Sequence, residues 1–225
     1  MSGAGRFLAR LARDRRAVLG GLIIAVAIAA ALVGPQLLGP PSVQLDDVVA
    51  RRFVPPLGAT PEGTLHLLGT DRFGRDLLER LCSGARVSLA VGVLAALTAL
   101  LVGIAAGAIA GSAGGLLDRA IVAVTDAALA VPRVPFLLLL VALFEPGVPL
   151  VVLALGLTGW MTVARLVRAE VRAVRGRPYV EAARALGARP ARVVATHVLP
   201  NALAPALVAA ALGVGNAIML EAGLS

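Results

Sequence analysis

The chain has 225 residues, of which 59% are hydrophobic and 15% charged, with a formal net charge of +8. Soluble domains carry about 25% charged residues, so this composition excludes an ordinary soluble domain and leaves a membrane protein. All 21 basic residues are arginine, and the absence of lysine excludes a P-loop, a Schiff-base enzyme and a lysine nucleophile. If nucleotide is used, another chain must hydrolyse it. The single cysteine, Cys82, permits no intrachain disulfide and no cysteine-rich metal site.

Crossing a bilayer core takes roughly 20 apolar residues, and five stretches qualify. The first, residues 17–38, is uncharged, follows Arg15 and Arg16 directly and carries Pro35 near its outer end. It is too long for a signal-peptide core of about 7–15 residues and lacks a small-residue cleavage site. The second, residues 87–112, is also uncharged and places Gly103, Gly107 and Gly111 four residues apart, a small-residue face suited to close helix packing. The segment between these two spans includes residues 69–76, which read as a cap leading into a helix over residues 77–81, with contact to a binding protein as the alternative. The third stretch, residues 120–144, contains Asp126 and Arg133 and is interrupted by Pro132 and Pro135. The fourth, residues 148–164, is entered past Pro146 and Pro149 and has Trp160 near its exit, where an interfacial indole belongs. Residues 201–220, again uncharged, form the fifth. The expected fold class is therefore all-α, a polytopic membrane helical bundle.

Arginine placement sets the orientation through the positive-inside rule. An N-terminal arm over residues 1–16 holds Arg6, Arg10, Arg13, Arg15 and Arg16. Four spans later, Arg165, Arg168, Arg172, Arg175, Arg177, Arg184, Arg189 and Arg192 fall on the same side. With Arg119, that side has fourteen arginines against six between the first two spans, so the N-terminus is expected in the cytoplasm. The six outer arginines are balanced by Asp46, Asp47, Glu62, Asp71, Asp76 and Glu79. Nucleic-acid binding is disfavoured, because the basic residues are divided among loops rather than gathered on one face.

Asp126 and Arg133 are candidates for a solute pathway, since an ionisable group within a span is a functional hypothesis. The alternative for Asp126 is an ion pair with a loop or neighbouring-helix arginine near the inner interface; Arg133 can also snorkel or pair. His66 and His197 stand alone, too few for a metal site.

The basic stretch between the fourth and fifth spans carries the most information. Pro178 suits a first helical turn, Glu181 falls in that turn and Gly187 is placed to end the helix. Within it, Tyr179, Ala182, Ala183 and Leu186 form one expected apolar stripe. Pro190 is expected to start a second short helix with Val193, Val194 and His197 on one face, and Pro200 to mark re-entry into the membrane. Both helices are expected to lie flat on the inner surface. A lipid-seeking face would show large residues, whereas Ala182 and Ala183 at the centre suit close approach of another protein.

Glu181-Ala182-Ala183, then Gly187, then Leu199-Pro200 resembles the EAA motif of ABC-importer permeases, with Gly187 and Leu199 in register. His197 stands where that motif has isoleucine, and His197-Val198-Leu199-Pro200-Asn201 is similar to the dipeptide, oligopeptide and nickel branch. His66-Leu67-Leu68-Gly69-Thr70-Asp71 with Gly74-Arg75-Asp76, Gly84-Ala85-Arg86-Val87-Ser88-Leu89, and Glu221-Ala222-Gly223-Leu224-Ser225 also resemble the C-type subunit of that branch.

The resemblance implies a type I ABC-importer permease fold, with five of an expected six spans visible and the sixth falling beyond residue 225. It implies a first span at 17–38, an extracytoplasmic segment at 39–86, and a permease core at 87–225 with a coupling loop at 165–200. Tyr179, Glu181, Ala182, Ala183, Leu186, Gly187, Leu199 and Pro200 would couple the permease to an ATPase. The implied protein is not an enzyme and holds no cofactor or metal. Its partners would be a second permease subunit, cytoplasmic ABC ATPase subunits, an extracytoplasmic solute-binding protein and membrane lipid. Localisation would be the bacterial inner membrane, and di- or oligopeptides the leading solutes. Alternatives are a secondary transporter, which would normally show internal repeats, or a non-enzymatic membrane scaffold.

Overall fold

The computed structural model describes residues 12–39, 51–60, 63–145 and 147–224. Expectations that rest on Arg6, Arg10, Asp46, Asp47, Glu62, Pro146 and Ser225 lie outside the described residues. The elements are α1 (Arg15–Leu38), a small hairpin β1 (Gly58–Ala59) and β2 (Leu65–His66), α2 (Leu77–Ala113), α3 (Gly115–Ala130), α4 (Arg133–Leu143), α5 (Val148–Arg175), α6 (Pro178–Ala185), α7 (Pro190–Val193), a π-helical turn (Val194–Val198) and α8 (Leu199–Leu224). Among the described residues, four helical stretches are long and apolar enough to cross a bilayer: α1, α2, α5 and the continuous rod Pro190–Leu224. The pair α3 and α4, bent by 78° at a short break, passes the same test of length and composition when taken together, which brings the candidates to five. This is an all-α polytopic membrane bundle.

Four elements differ from expectation. The third span is broken at Pro132, because proline removes an amide donor and disfavours the α conformation in the residue before it, and Val131 is extended. The helices carrying the second and fourth spans are longer than their uncharged runs, since α2 starts at Leu77 and α5 continues to Arg175. The expected second flat helix does not end before the membrane. α7 instead passes through the π-turn into α8.

Backbone contacts divide the chain into two compact units, Met1–Leu89 and Ala90–Ser225. In the first, Asp14 caps α1 by accepting from the amide of Arg16 at 2.9 Å. Most of α1's large apolar side chains are exposed, as a helix facing lipid requires. Gly34 approaches the buried Cys82 closely: a Cβ at Gly34 would lie 2.6 Å from the cysteine Cβ. The hairpin pairs Gly58 with His66 and Ala59 with Leu65.

α5 organises the second unit. Val163, Val167, Val171 and Val174 recur at helical spacing and are all buried. They share one core with Leu100 of α2, Val180 of α6, Val193, Val198, and Ala202 and Ala206 of α8. A second cluster joins Val91 and Ala95 of α2 to Leu137 of α4, Ala154 and Leu155 of α5, and Ala217 of α8. Lipid supplies no hydrophobic drive between spans, so close packing of small residues must hold them. Gly103, Gly107 and Gly111 meet that need against α5. A Cβ at these positions would stand 2.6 Å from Val163, 2.7 Å from Val167 and 2.8 Å from Val171, and at Gly107 only 2.5 Å from the Ala164 carbonyl oxygen.

Gly107→Val is therefore expected to destabilise the protein by about 1–3 kcal/mol through overpacking. Gly20→Ala, where a Cβ meets nothing within 4 Å, should be close to neutral. Thermal unfolding in detergent measures both, and equal midpoints for the two variants would contradict the packing account.

Candidate functional site

The short helix α6 forms where the sequence places its signals. Pro178 occupies the first turn, where its missing amide costs nothing, and Glu181 favours the same end. At the other end Gly187 has φ of +81°, a left-handed conformation that a residue with a Cβ adopts only under strain. Its amide donates to the Arg184 carbonyl at 2.9 Å, and that of Ala188 to the Ala183 carbonyl at 3.1 Å. This paired closure satisfies the last carbonyls of the helix.

The expected apolar stripe of α6 is divided between two faces. Val180 is fully buried and Ala183 packs against the same core. Tyr179, Ala182 and Leu186 point outward, with Leu186 88% exposed and Tyr179 44%. Val180 lies about 100° round the helix from Tyr179 and takes the core-facing position. Glu181 is exposed as well.

The face expected of Val193, Val194 and His197 also changes. His197 is exposed, and the inward residue is Val198, fully buried. A π-turn inserts one extra residue, so the inward position after Val193 moves from the fourth residue to the fifth. Pro200 supplies the cause: it lacks an amide, and its ring would crowd the Thr196 carbonyl in a regular helix. The amide of Leu199 bonds to the Val194 carbonyl, and the Asn201 side chain donates to the His197 carbonyl at 2.7 Å. Leu199 and Pro200 thus begin the α-helical part of the rod rather than a separate re-entry.

Four arginines of α5 are engaged rather than merely solvated. Arg168 forms a fork on Asp118 of α3, with bonds of 2.5 and 2.8 Å, and Arg172 lies 3.4 Å from the same buried carboxylate. Arg165 reaches Asp126 at 2.5 Å on a more exposed surface. Arg175 donates to the carbonyls of Gly111 and Ser112 at 2.9 and 2.5 Å, closing the C-terminal end of α2. Asp126 is therefore held by a neighbouring-helix arginine. The sequence reading missed Asp118. A signal was available in two acids eight residues apart on α3 and arginines spaced 3, 4 and 3 apart on α5, which match as antiparallel neighbours.

Arg133 has a different environment. Half-buried at the start of α4, it donates from Nε to the Thr158 hydroxyl at 3.0 Å and from Nη2 to the Leu155 carbonyl at 3.1 Å. It borders two cavities, of about 140 and 590 Å³. Thr158 and Thr162 line both, and Asn216 of α8 lines the smaller.

In the first unit, the segment before α2 is tied by its own polar groups. Asp76 accepts from the amides of Leu78 and Glu79 at 2.7 and 3.2 Å, capping α2, and its other oxygen lies 2.6 Å from His66 Nδ1. The Thr70 hydroxyl donates to the Arg51 carbonyl and accepts from the Val54 amide. Asp71 binds the amides of Phe73 and Arg75 and the guanidinium groups of Arg75 and Arg80.

A multi-pass bundle with an exposed short helix ahead of its last described span defines a polytopic membrane protein. The chain belongs to the family described as binding-protein-dependent transport system inner membrane component, which matches residues 103–225. It is 34% identical over 216 residues to the dipeptide transport system permease protein DppC of Bacillus subtilis, covering 96% of this chain and 65% of that protein. The oligopeptide transport system permease protein OppC of the same organism is 38% identical over 165 residues, covering 73% of this chain and 54% of that protein. Dipeptide permease DppC of Alkalihalophilus pseudofirmus is 34% identical, with coverage of 96% and 68%. The chain thus spans between about half and two thirds of the length of these relatives.

The Asp71 cluster yields a pH dependence. Burial alone would push the Asp71 carboxyl up, but the amides of Arg75 and Phe73 and the guanidinium groups of Arg75 and Arg80 outweigh it and hold it at about 2. A carboxylate depressed below its unfolded value of about 3.9 stabilises the fold above that pH and loses its contribution as pH falls towards 2. The thermal midpoint should accordingly drop on acidification from about pH 5 to pH 2. Asp71→Asn should lower it at neutral pH and flatten that acid limb; an unaltered limb in the variant would assign the acid sensitivity elsewhere.

Proposed function

We propose that the chain is the transmembrane permease subunit of an ATP-driven, binding-protein-dependent importer, with di- or oligopeptides as solute. The carrying observation is α6: an eight-residue helix whose Tyr179, Ala182 and Leu186 are exposed while Val180 is fused into the core of α5 and α8. One face is open to a partner and the other is rigidly attached to the spans. A cytoplasmic ATPase seated on the open face would move α6, and the shared valine core would pass that movement to the rod Pro190–Leu224. Glu181, Ala183, Gly187, Leu199 and Pro200 act in this scheme by setting the helix, its closure and its junction with the rod. ATP hydrolysis belongs to the partner subunits, and a second permease subunit and a solute-binding protein complete the assembly.

The names of the relatives support peptides as the solute class. The arginine distribution supports an N-terminus and an α6 loop in the cytoplasm, with residues 39–86 on the outer side of a bacterial inner membrane. In that arrangement residues 1–16 form a basic arm, 17–38 the first span and 87–225 the permease core, with the coupling loop at 165–200. Val174, Val180, Val193 and Val198 then pack outside the hydrocarbon, where burial from water contributes to holding α6 in place.

Leu186→Asp and Ala182→Trp should each lower ATP-dependent uptake about tenfold or more, as removal of a central contact does, while membrane insertion stays at the wild-type level. The measurement is uptake into proteoliposomes holding the complete transporter, with co-purification of the ATPase as a second readout. Gly187→Val should produce the same loss through backbone strain. Full uptake in all three variants would remove α6 from the coupling path.

A further inference from the structure

The geometry points to Arg133 as a site in the permease that holds the C-terminal carboxylate of a peptide in transit. This rests on the transport reading above and adds the group by which the spans recognise their cargo.

Arg133 is distinguished from Arg165, Arg168 and Arg172 by its partners. Arg165, Arg168 and Arg172 each lie within ion-pair distance of Asp126 or Asp118. Arg133 has only neutral acceptors, the Thr158 hydroxyl and the Leu155 carbonyl. Among the described residues no carboxylate lies within ion-pair distance of it. A guanidinium has five N–H donors, and two bonds leave Nη1 and one hydrogen of Nη2 uncommitted. An intramembrane cation without a counterion is costly, and a visiting anion relieves that cost.

The surroundings favour a carboxylate carried on an apolar body. The bonds to Thr158 and Leu155 fix the guanidinium plane, leaving a fork that matches the two oxygens of a carboxylate. On one side the smaller cavity offers Thr162 and Asn216 as further polar groups. On the other, the larger cavity is lined by Phe136, Leu140, Leu157 and Met161, a surface for side chains of varied shape. Every linear peptide ends in a carboxylate, so a site reading that group selects peptides while tolerating their sequence. The break between α3 and α4 lies at the same place, and non-helical backbone is tolerated within a membrane where it lines a cavity.

The test compares uptake of dialanine and its C-terminal amide by the complete transporter in proteoliposomes, at concentrations that saturate the binding protein for each. Wild type should carry both. Arg133→Gln should reduce free-acid uptake about tenfold or more, the loss expected for a hydrogen bond to a charged group, and leave the amide within about twofold. Arg133→Lys should fall between them. Should the glutamine variant fail to assemble, Asn216→Asp places an acid in the same cavity, where it competes for Arg133 and should produce the same selective loss. Equal loss of both peptides in an assembled complex, or an unchanged ratio of free acid to amide, would reduce Arg133 to a helix-to-helix tie and overturn the inference alone. Wild-type complex that moves neither peptide with ATP would overturn the transport reading and the inference together.

Discussion

The second unit depends on a register match between two helices. Gly103, Gly107 and Gly111 on α2 and Val163, Val167 and Val171 on α5 share a four-residue spacing, so each valine enters the space a missing side chain leaves. The same valines belong to the core containing Val180, Val193 and Val198. α5 therefore fixes α2 through the glycines while anchoring the α6 loop and the rod through the core. Its polar groups continue the arrangement: Arg165, Arg168 and Arg172 hold α3, Arg175 closes α2, and Thr158 and Leu155 orient Arg133. A slip of α5 against α2 would disturb all of these together.

The charge distribution has two physical uses within one helix. Arginines near a membrane boundary bias topology, yet Arg168 is also bonded in a fork to a buried acid. An arginine can satisfy both demands because its long stem separates backbone position from the place where its charge acts. Among the described residues Arg133 has no acid within ion-pair distance and is held by the Thr158 hydroxyl and the Leu155 carbonyl instead.

Much of the architecture was legible in the sequence. Apolar runs located the long helices, Pro178 and Gly187 bracketed α6, and small residues at four-residue spacing marked a close-packing face of α2. Such features are local: hydrophobic length, a missing amide and a left-handed φ act on the chain wherever it folds. What escaped was set by contacts between distant residues or by a break in periodicity. Val180 faces the core because the neighbouring helices present valines there, which the short segment alone does not encode. A regular helical count puts His197 on one face with Val193, and the π-turn interrupts that count. Asp118 and its arginines required recognition that α3 and α5 run side by side in opposite directions. Arg133 was visible as an odd charge, but its lack of a carboxylate partner depended on tertiary structure.

The π-turn also bears on how this chain tolerates changes in length. Adding or removing one residue in a helix rotates all that follows by about 100°, which would swing the apolar faces of a span away from their partners. Between Val193 and Val198 the helix already accommodates one residue beyond the regular count. Loss of a single residue there would bring Val198 into the ordinary fourth position after Val193 and leave Ala202 and Ala206 facing the same core. Within the rod, a one-residue deletion thus has a place where it keeps the apolar faces in register, at the junction between α6's loop and the membrane span.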